Sequence, residues 1–235
     1  MTILGLDTSG PACSAALTRD GQLVQEIVLN TALTHSETLM PAIERVMEGA
    51  NASVSDLDAI AVVAGPGSFT GVRIGVCAGR ALAHAGNKPV CRINSLEALA
   101  AGAPNARGIV CPILDARRMQ VYSAAFHVDA EGKITRILPD DARKLTDFLN
   151  ELPHDEELYF TGDGVSVHES AIREIVGSRA RFAPVHARIL RASSACFLAE
   201  GKKDEWAKYD SLTPIYLRAP QAERERNEKL TRQKV

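Results

Sequence analysis

The chain carries at residues 65–75 the stretch GPGSFTGVRIG, which lies between two segments of opposite character. An apolar run over Asp58–Ala64 precedes it and predicts a buried strand, and a helix is predicted after it over Thr70–Ala85. A helix N-terminus offers free N–H groups and a positive dipole, so Gly65 and Gly67 are candidates for nucleotide or anion binding. The stretch is not a P-loop, because no Gly-Lys-Thr or Gly-Lys-Ser follows.

The helix that this stretch opens has Gly71, Gly75 and Gly79 at four-residue intervals, so the three share one face. Each glycine inside a helix costs about 1 kcal/mol relative to alanine, so close packing must offset the cost. The glycine face packs either on the protein's own sheet or on a helix of a second chain, and we favour the second chain. The predicted partner interface consists of Gly71, Arg73, Gly75, Gly79, Leu39 and Ile43.

The flanking sequence predicts an α/β protein, because strands alternate with helices. Before the glycine stretch we predict an antiparallel meander of Ile3–Asp7, Ala12–Thr18 and Gln22–Leu29, with a turn at Asp20-Gly21. A helix follows over Ser36–Glu48, with Pro41 predicting a kink or a late start and with Leu39, Met40, Ile43, Val46 and Met47 on one face. After the stretch come a strand over Pro89–Ile93 and a short helix near Ser95.

The second half of the chain repeats this plan. Strands are predicted over Gly108–Asp115, Gln120–Val128 and Leu158–Thr161, a turn at Glu131-Gly132-Lys133, and helices near Ala142–Glu151, after Gly164 and from Ala192. The landmarks have a nearly constant offset, which favours a duplicated unit over coincidence. With a boundary near 103–105, the predicted units are residues 1–104 and 105–219, followed by a charged tail at 220–235.

The strand-end turns of the two halves differ in composition. Asp7 and Ser9 at the first turn are candidates for nucleotide binding, and the alternative is a turn that satisfies its own backbone groups. The second turn, Asp115-Ala116-Arg117-Arg118, lacks the glycines that let backbone N–H groups approach a phosphate. Its two arginines can bind an anion only through their side chains. This loss makes a competent kinase cleft an unfavoured interpretation.

Composition excludes several classes of protein. Charged residues are 24% of the chain and the formal net charge is −2, so no global field drives unaided nucleic-acid binding. The five cysteines form no C-x-x-C pair, which argues against a disulfide framework and a zinc knuckle. No window has the apolar length of a membrane span, and we expect a cytoplasmic protein without membrane partners.

Several motifs together resemble the TsaB (YeaZ) family, from Thr2 to about Ala219. They are ILGLDTS at 3–9, THSE at 34–37, the stretch at 65–75, LDARR at 114–118, GDG at 162–164 and PIYLR at 214–218. The resemblance implies the actin-like/sugar-kinase/Hsp70 (RNase H-like) fold in two similar halves. It also implies a degenerate paralogue of TsaD, the enzyme that transfers a threonylcarbamoyl group to adenosine 37 of tRNA (t6A).

The resemblance further implies the partners. A TsaB-like chain would be a subunit without catalytic residues that pairs with a TsaD-like catalytic subunit, works with a TsaE-like ATPase, and forms a homodimer when isolated. Contact with tRNA would occur only through the complex. The chain would have no cofactor of its own, and at most weak binding of ATP or ADP in the complex. The alternative is a self-sufficient phosphotransferase of the sugar-kinase type. A metallopeptidase is not supported, because the sequence has no His-Glu-x-x-His or equivalent cluster.

Metal binding is not expected. In the catalytic paralogue a His-x-x-x-His pair holds the metal, and alignment on the strand Pro89–Ile93 places Ser95 and Leu99 at those positions. The six histidines are scattered, and we expect each to be a surface or helix-capping residue, His35 among the latter. The segment after Arg218 has mixed charge and predicts a solvated helix or frayed tail, with RNA contact by its arginines as the alternative.

Overall fold

The computed structural model describes residues 1–103, 106, 108–117, 119–129 and 133–218. The strands are β1 (Thr2–Asp7), β2 (Cys13–Arg19), β3 (Gln22–Leu29), β4 (Ala59–Val63), β5 (Val90–Ile93), β6 (Ile109–Asp115), β7 (Gln120–Val128), β8 (Ile134–Lys144), β9 (Leu158–Thr161) and β10 (Ala180–Phe182). The helices are α1 (His35–Gly49), α2 (Phe69–Gly86), α3 (Ser95–Ala101), α4 (Leu145–Glu151), α5 (Gly164–Val176) and α6 (Ala192–Gly201).

Two five-stranded sheets have the same topology. The strand order is β3-β2-β1-β4-β5 in the first and β8-β7-β6-β9-β10 in the second. In each sheet the first three strands form an antiparallel meander and the last two run parallel to the central strand. The predicted α/β fold of two similar halves is confirmed.

The layers alternate between helices and sheets. One core fills the space between the first sheet and α1 and α2, and another lies between the second sheet and α4 and α5. The third core lies between the two sheets and contains α3 and α6. In this middle layer the halves exchange helices, because α6 packs on β1 and β2 of the first sheet while α3 packs on β6 and β7 of the second.

The start of each exchanged helix is hydrogen-bonded to an acidic residue of the sheet on which the helix packs. The carboxylate of Glu26, on β3, accepts hydrogen bonds from the Arg191 guanidinium and from the backbone N–H of Ser193, the latter at 2.9 Å. The carboxylate of Asp140, on β8, accepts a hydrogen bond from the side-chain amide of Asn94, the N-cap of α3. Strands β3 and β8, each the third strand of its meander, therefore have equivalent roles: each supplies the carboxylate that binds the start of an exchanged helix.

Several local predictions need correction or fall outside the described residues. The helix predicted near Ala142–Glu151 begins only at Leu145, because β8 continues in register with β7 as far as Lys144. Helix α1 begins at His35 with Pro41 inside it, so its start is not late, and Met40 is 50% exposed rather than on the buried face. The boundary at 104–105, the turn at 131–132 and the tail at 220–235 lie outside the described residues.

Among the residues that the structure describes, no helix has the length and apolar character needed to cross a membrane.

Candidate functional site

A cleft of about 640 Å³ separates the two halves on the side where the central strands end. The first half contributes its strand-end turn and the start of α2, and the second half contributes its own turn and Asp163 at the start of α5. The segment from Ile215 to Arg218 forms a further wall. The structure thus brings both predicted turns and the glycine loop to one place.

The glycine loop packs tightly on the first turn. A Cβ atom on Gly67 would overlap the carbonyl oxygen of Ser9, and the backbone N–H of Ser68 donates to that same oxygen at 2.7 Å. Gly65 has φ +110°, a conformation that favours glycine. Both glycines are therefore required by the local packing, and anion binding by Gly65 and Gly67 stays a prediction.

Asp7 and Ser9 form one buried unit. The Oδ1 atom of Asp7 accepts from the Ser9 backbone N–H at 2.9 Å and from the Ser9 hydroxyl at 2.6 Å. Burial raises the pKa of the Asp7 carboxyl to about 7, against the lowering effect of these hydrogen bonds. The turn thus satisfies the Oδ1 atom of Asp7 locally, while Oδ2 is buried and has no hydrogen-bond partner among the described residues. Nucleotide binding by Asp7 and Ser9 stays a prediction.

The second turn is open and has a conformation suited to glycine. Arg117 has φ +61°, and its backbone N–H donates to the Asp115 carboxylate at 2.8 Å. A non-glycine residue in the left-handed region costs about 1 kcal/mol. The second turn therefore has a backbone conformation that favours glycine at a position where the sequence has arginine. The neighbouring Arg118 lies outside the described residues.

The prediction that the glycines of α2 contact a partner chain is wrong. A Cβ atom on Gly71 would overlap the Thr8 carbonyl oxygen, one on Gly75 would lie 2.6 Å from the Thr8 hydroxyl, and one on Gly79 would overlap Val62. The glycine face therefore packs on β1 and β4 of the same chain, which was the alternative interpretation.

The two predicted interface residues of α1 need the same correction. Leu39 and Ile43 are buried in the core between the first sheet and helices α1 and α2. A side chain that already fills this core has no surface left for a partner. Of the predicted interface set, Arg73 is the residue that stays exposed.

Sequence reasoning missed the aromatic cluster around Arg73. The guanidinium of Arg73 lies 3.8 Å from the ring centre of Phe69, and its Nε donates to the Tyr216 hydroxyl at 2.7 Å. The backbone N–H of Ile215 donates to the Ala64 carbonyl at 2.7 Å, which holds the segment against the glycine loop. The motif at 214–218 was the available signal, but no periodicity in the sequence showed where it would dock.

The histidines also differ from expectation in part. His35 follows the N-cap Thr34, and its Nε2 lies 2.9 Å from the Gly10 carbonyl oxygen at the cleft. His168 is buried in α5, so it is neither a surface nor a capping residue.

The positions aligned with the metal ligands of the paralogue are part of the core. Ser95 and Leu99 are both buried, and the Ser95 backbone N–H donates to the Gly65 carbonyl at 2.9 Å. Within the described ranges, no group of three or more histidine, cysteine, aspartate or glutamate side chains could hold a metal ion.

Comparison with known proteins agrees with this architecture. The family model described as TsaD, tRNA N6-adenosine threonylcarbamoyltransferase, matches residues 23–226. The tRNA threonylcarbamoyladenosine biosynthesis protein TsaB of Bacillus subtilis is 35% identical over 95% of this chain and 96% of its own length. That of Escherichia coli is 35% identical over 56% of this chain and 58% of its own.

Solved structures give the same result. YeaZ from Pseudomonas aeruginosa superposes with a TM-score of 0.75 at 27% identity, covering 92% of this chain and 99% of that one. Component A of the Acidaminococcus fermentans (R)-2-hydroxyglutaryl-CoA dehydratase has a TM-score of 0.50 at 15% identity, covering 87% and 99%, which shows the fold alone. The chain has the actin-like fold and belongs to the TsaB (YeaZ) family.

Proposed function

We propose that this chain is a non-catalytic subunit required for threonylcarbamoyl transfer to adenosine 37 of tRNA. It pairs with a TsaD-like catalytic subunit and works with a TsaE-like ATPase. The similarity to the Bacillus subtilis TsaB protein over 95% of the chain carries the proposal, because it includes both halves and the cleft between them.

The chemistry of the cleft supports a non-catalytic role. Gly67 and Ser68 are used to hold the Ser9 turn, and Arg117 occupies the backbone position where a glycine would suit a phosphate loop. Ser95 and Leu99 are core residues where the catalytic paralogue has its metal-binding histidines. These substitutions remove the backbone cradle and the metal ligands that catalysis in this fold uses.

The outward faces of α1 and α2 support the pairing. On α1 the exposed residues include Met40, Glu44, Arg45 and Glu48, with a net negative charge, and on α2 they include Arg73, Cys77, Arg80 and Ala81, with a net positive charge. The acidic helix and the basic helix contact each other and form one surface. A second pair of related helices, from a TsaD-like chain or from another copy of this chain, can place its basic helix against the acidic one.

The small side chains Cys77 and Ala81 lie one helical turn apart on this surface, so a partner helix can approach closely. The partner surface that we propose is thus the opposite side of α2 from its glycines. It keeps Arg73 from the original prediction and replaces the glycines with Cys77 and Ala81.

Reconstitution tests the function. Omission of this chain from a mixture of the TsaD-like and TsaE-like proteins, tRNA, ATP and the threonylcarbamoyl donor should abolish t6A formation, measured by mass spectrometry of digested tRNA. The chain alone should show no ATP turnover above buffer. Robust turnover by the isolated chain would contradict the proposal and favour the sugar-kinase alternative.

A variant on the outward face tests the pairing. Cys77→Arg should weaken co-purification with the TsaD-like subunit by about tenfold or more, since it places bulk and charge in the contact. Glu174→Arg is the control, because Glu174 is exposed on α5, which covers the far sheet. Unchanged binding by Cys77→Arg, with the fold intact by circular dichroism, would exclude this surface.

A further inference from the structure

Strand β5 forms one edge of the first sheet. Val90 pairs there with Ala207 in an antiparallel bridge, and each of the two donates its N–H to the carbonyl of the other at 2.9 Å. A continued antiparallel strand would place residue 205 opposite Arg92. The chain turns away instead into a short 3₁₀ helix over Lys203–Glu205. Among the described residues, the pairing along this edge therefore stops at Val90.

The hydrogen bonds between β4 and β5 show which backbone groups the edge leaves free. The N–H of Ile60 donates to the Pro89 carbonyl at 3.0 Å, and that of Ala64 donates to the Ile93 carbonyl at 2.8 Å. In this parallel pairing the odd-numbered residues of β5 therefore face β4, and the N–H and C=O of Arg92 point away from the sheet. In the described part of the chain, neither of these two groups has a hydrogen-bond partner.

A cavity of about 410 Å³ lies beside this unpaired stretch. Arg92 and the following Asn94 line it from the strand edge, Glu205 and Ala207 line it from the segment that turns away, and Ile215 lines it from the segment that also borders the cleft. Its volume is within the range of about 300–1,000 Å³ that ligand sites have. The cavity thus lies where a strand paired with Arg92 would run.

The charged side chains around this cavity differ in how they are paired. Lys202 donates to the Glu97 carboxylate at 2.8 Å, so these two charges satisfy each other. The exposed guanidinium of Arg92 donates to the Thr213 hydroxyl at 3.4 Å, and no described carboxylate forms an ion pair with it. Arg92 can therefore bind a carboxylate from outside the chain. Glu205, also exposed, adds a negative charge that disfavours a run of acidic residues in the ligand.

We propose that this cavity binds an extended peptide segment of a partner protein, which adds to the edge of β5 as an antiparallel strand. The segment residue opposite Arg92 accepts the Arg92 N–H on its carbonyl and donates its own N–H to the Arg92 carbonyl. Residues directly opposite each other have their side chains on the same face, so an acidic residue at this position lies beside the guanidinium.

The direction of the segment follows from the same contacts. Because Val90 is already paired, the segment extends from Arg92 towards Asn94, whose N–H also has no partner among the described residues. In an antiparallel pair this places the acidic residue near the C-terminal end of the segment. The proposal rests on the strand edge and does not depend on the proposed function.

Titration of the full ¹⁵N-labelled chain with the synthetic peptide acetyl-Val-Thr-Val-Glu-Ala-amide tests the site by NMR. We expect a dissociation constant of about 1 mM or lower and the largest amide shifts at residues 90–94 and 205–207. Methylation of the glutamate nitrogen removes the donor to the Arg92 carbonyl and should weaken binding by about fivefold or more. Absence of shifts at these residues with about 5 mM peptide, or equal binding of the methylated peptide, would overturn the proposal.

Side-chain changes test the charge contact separately. Arg92→Gln should weaken binding by about fivefold or more, and a peptide with glutamine in place of glutamate should show the same loss with the wild-type chain. Arg92→Glu should recover binding when the peptide has lysine at that position, which excludes loss of fold as the cause. Arg45→Gln is the matched control, because Arg45 is exposed on α1, and it should bind as the wild type does.

Three outcomes would contradict the side-chain contact or the strand addition. Equal binding of the glutamate and glutamine peptides would show that Arg92 does not select a carboxylate. Failure of the lysine peptide to bind Arg92→Glu better than the wild type would show the same. Binding of free glutamate as tight as that of the peptide would indicate an amino-acid site without pairing along the edge.

Discussion

The two halves share one topology but pack the helix that follows their fourth strand in different ways. Helix α2 approaches the first sheet through Gly71, Gly75 and Gly79, which leave its backbone near the Thr8 turn and Val62. Helix α5, at the equivalent place in the second half, fills the distance with side chains, namely Val165, His168, Ile172 and Val176. The same connection of strands thus tolerates two ways of packing a helix on the sheet, one through glycines and one through larger side chains.

The turns next to these helices differ accordingly. The first turn is buried under α2 and the glycine loop, with the Thr8 hydroxyl donating to the Gly71 carbonyl at 2.7 Å. The second turn stays exposed, with Arg117 and Met119 both at φ +61°. The difference teaches that one half has fixed its strand-end turn by close packing, while the other retains the backbone of a glycine turn without the glycines.

The largest effect on stability is expected from Gly75→Leu, which would prevent the close packing of α2 on the first half. Because a Cβ atom at this position meets the Thr8 hydroxyl at 2.6 Å, we expect the free energy of unfolding to fall by about 3 kcal/mol. Urea denaturation followed by circular dichroism measures the change. Ala81→Leu, on the exposed face of the same helix, should change stability by about 0.5 kcal/mol or less. A stable Gly75→Leu that merely fails to bind a partner would restore the glycine face as an interface.

The carboxylates of Glu26 and Asp140, which bind the starts of α6 and α3, give a second comparison with smaller expected effects. Glu26→Ala removes a largely buried carboxylate and leaves the Ser193 N–H without its acceptor, so we expect a loss of about 2 kcal/mol. Asp140→Ala removes the partner of the Asn94 amide and of the Arg136 guanidinium on the same strand, but it leaves no backbone N–H without an acceptor, so the loss should be about 1 kcal/mol. Denaturation midpoints of both variants and of the double variant measure these effects. Equal losses would contradict the expectation that the Ser193 N–H left without its acceptor makes the Glu26 site the more important of the two.

The smallest effect is expected at the second turn. Arg117→Gly should raise the free energy of unfolding by about 0.5–1 kcal/mol, because glycine adopts the left-handed conformation without strain. Ala116→Gly is the control and should lower it by a similar amount, since Ala116 does not have positive φ. A loss of stability in Arg117→Gly would mean that the arginine side chain contributes more than its backbone strain costs, as measured by thermal unfolding.

The sequence predicted the sheets better than the helices. Strands β7 and β9 have the predicted bounds, and the duplication followed from strand landmarks that local residues determine. Strand β8 was not predicted, and its last residues were assigned to the helix near Ala142–Glu151, because Asp140 to Lys144 is a polar stretch of an edge strand that pairs with β7. Edge strands with one exposed face carry little hydrophobic pattern, so periodicity alone cannot separate them from helices.

The candidate site was predictable only where its contacts are local. Asp7 and Ser9 lie two residues apart, and their hydrogen bonds follow from the turn itself. Asp163 and Tyr216 reach the cleft through contacts far along the chain, which no spacing in the sequence indicates. The glycine spacing on α2 correctly indicated a close contact, but a glycine face has the same pattern whether a sheet or a second chain covers it.

The exchange of α3 and α6 means that this duplicated chain has one folding unit rather than two. A fragment that ends near residue 103 would keep α3 without the sheet that α3 covers, and its own sheet would lose α6. Each fragment would then expose an apolar sheet face that the intact chain buries. The topology repeats in two halves, but each half needs the other to bury its apolar sheet face, so the two halves fold together.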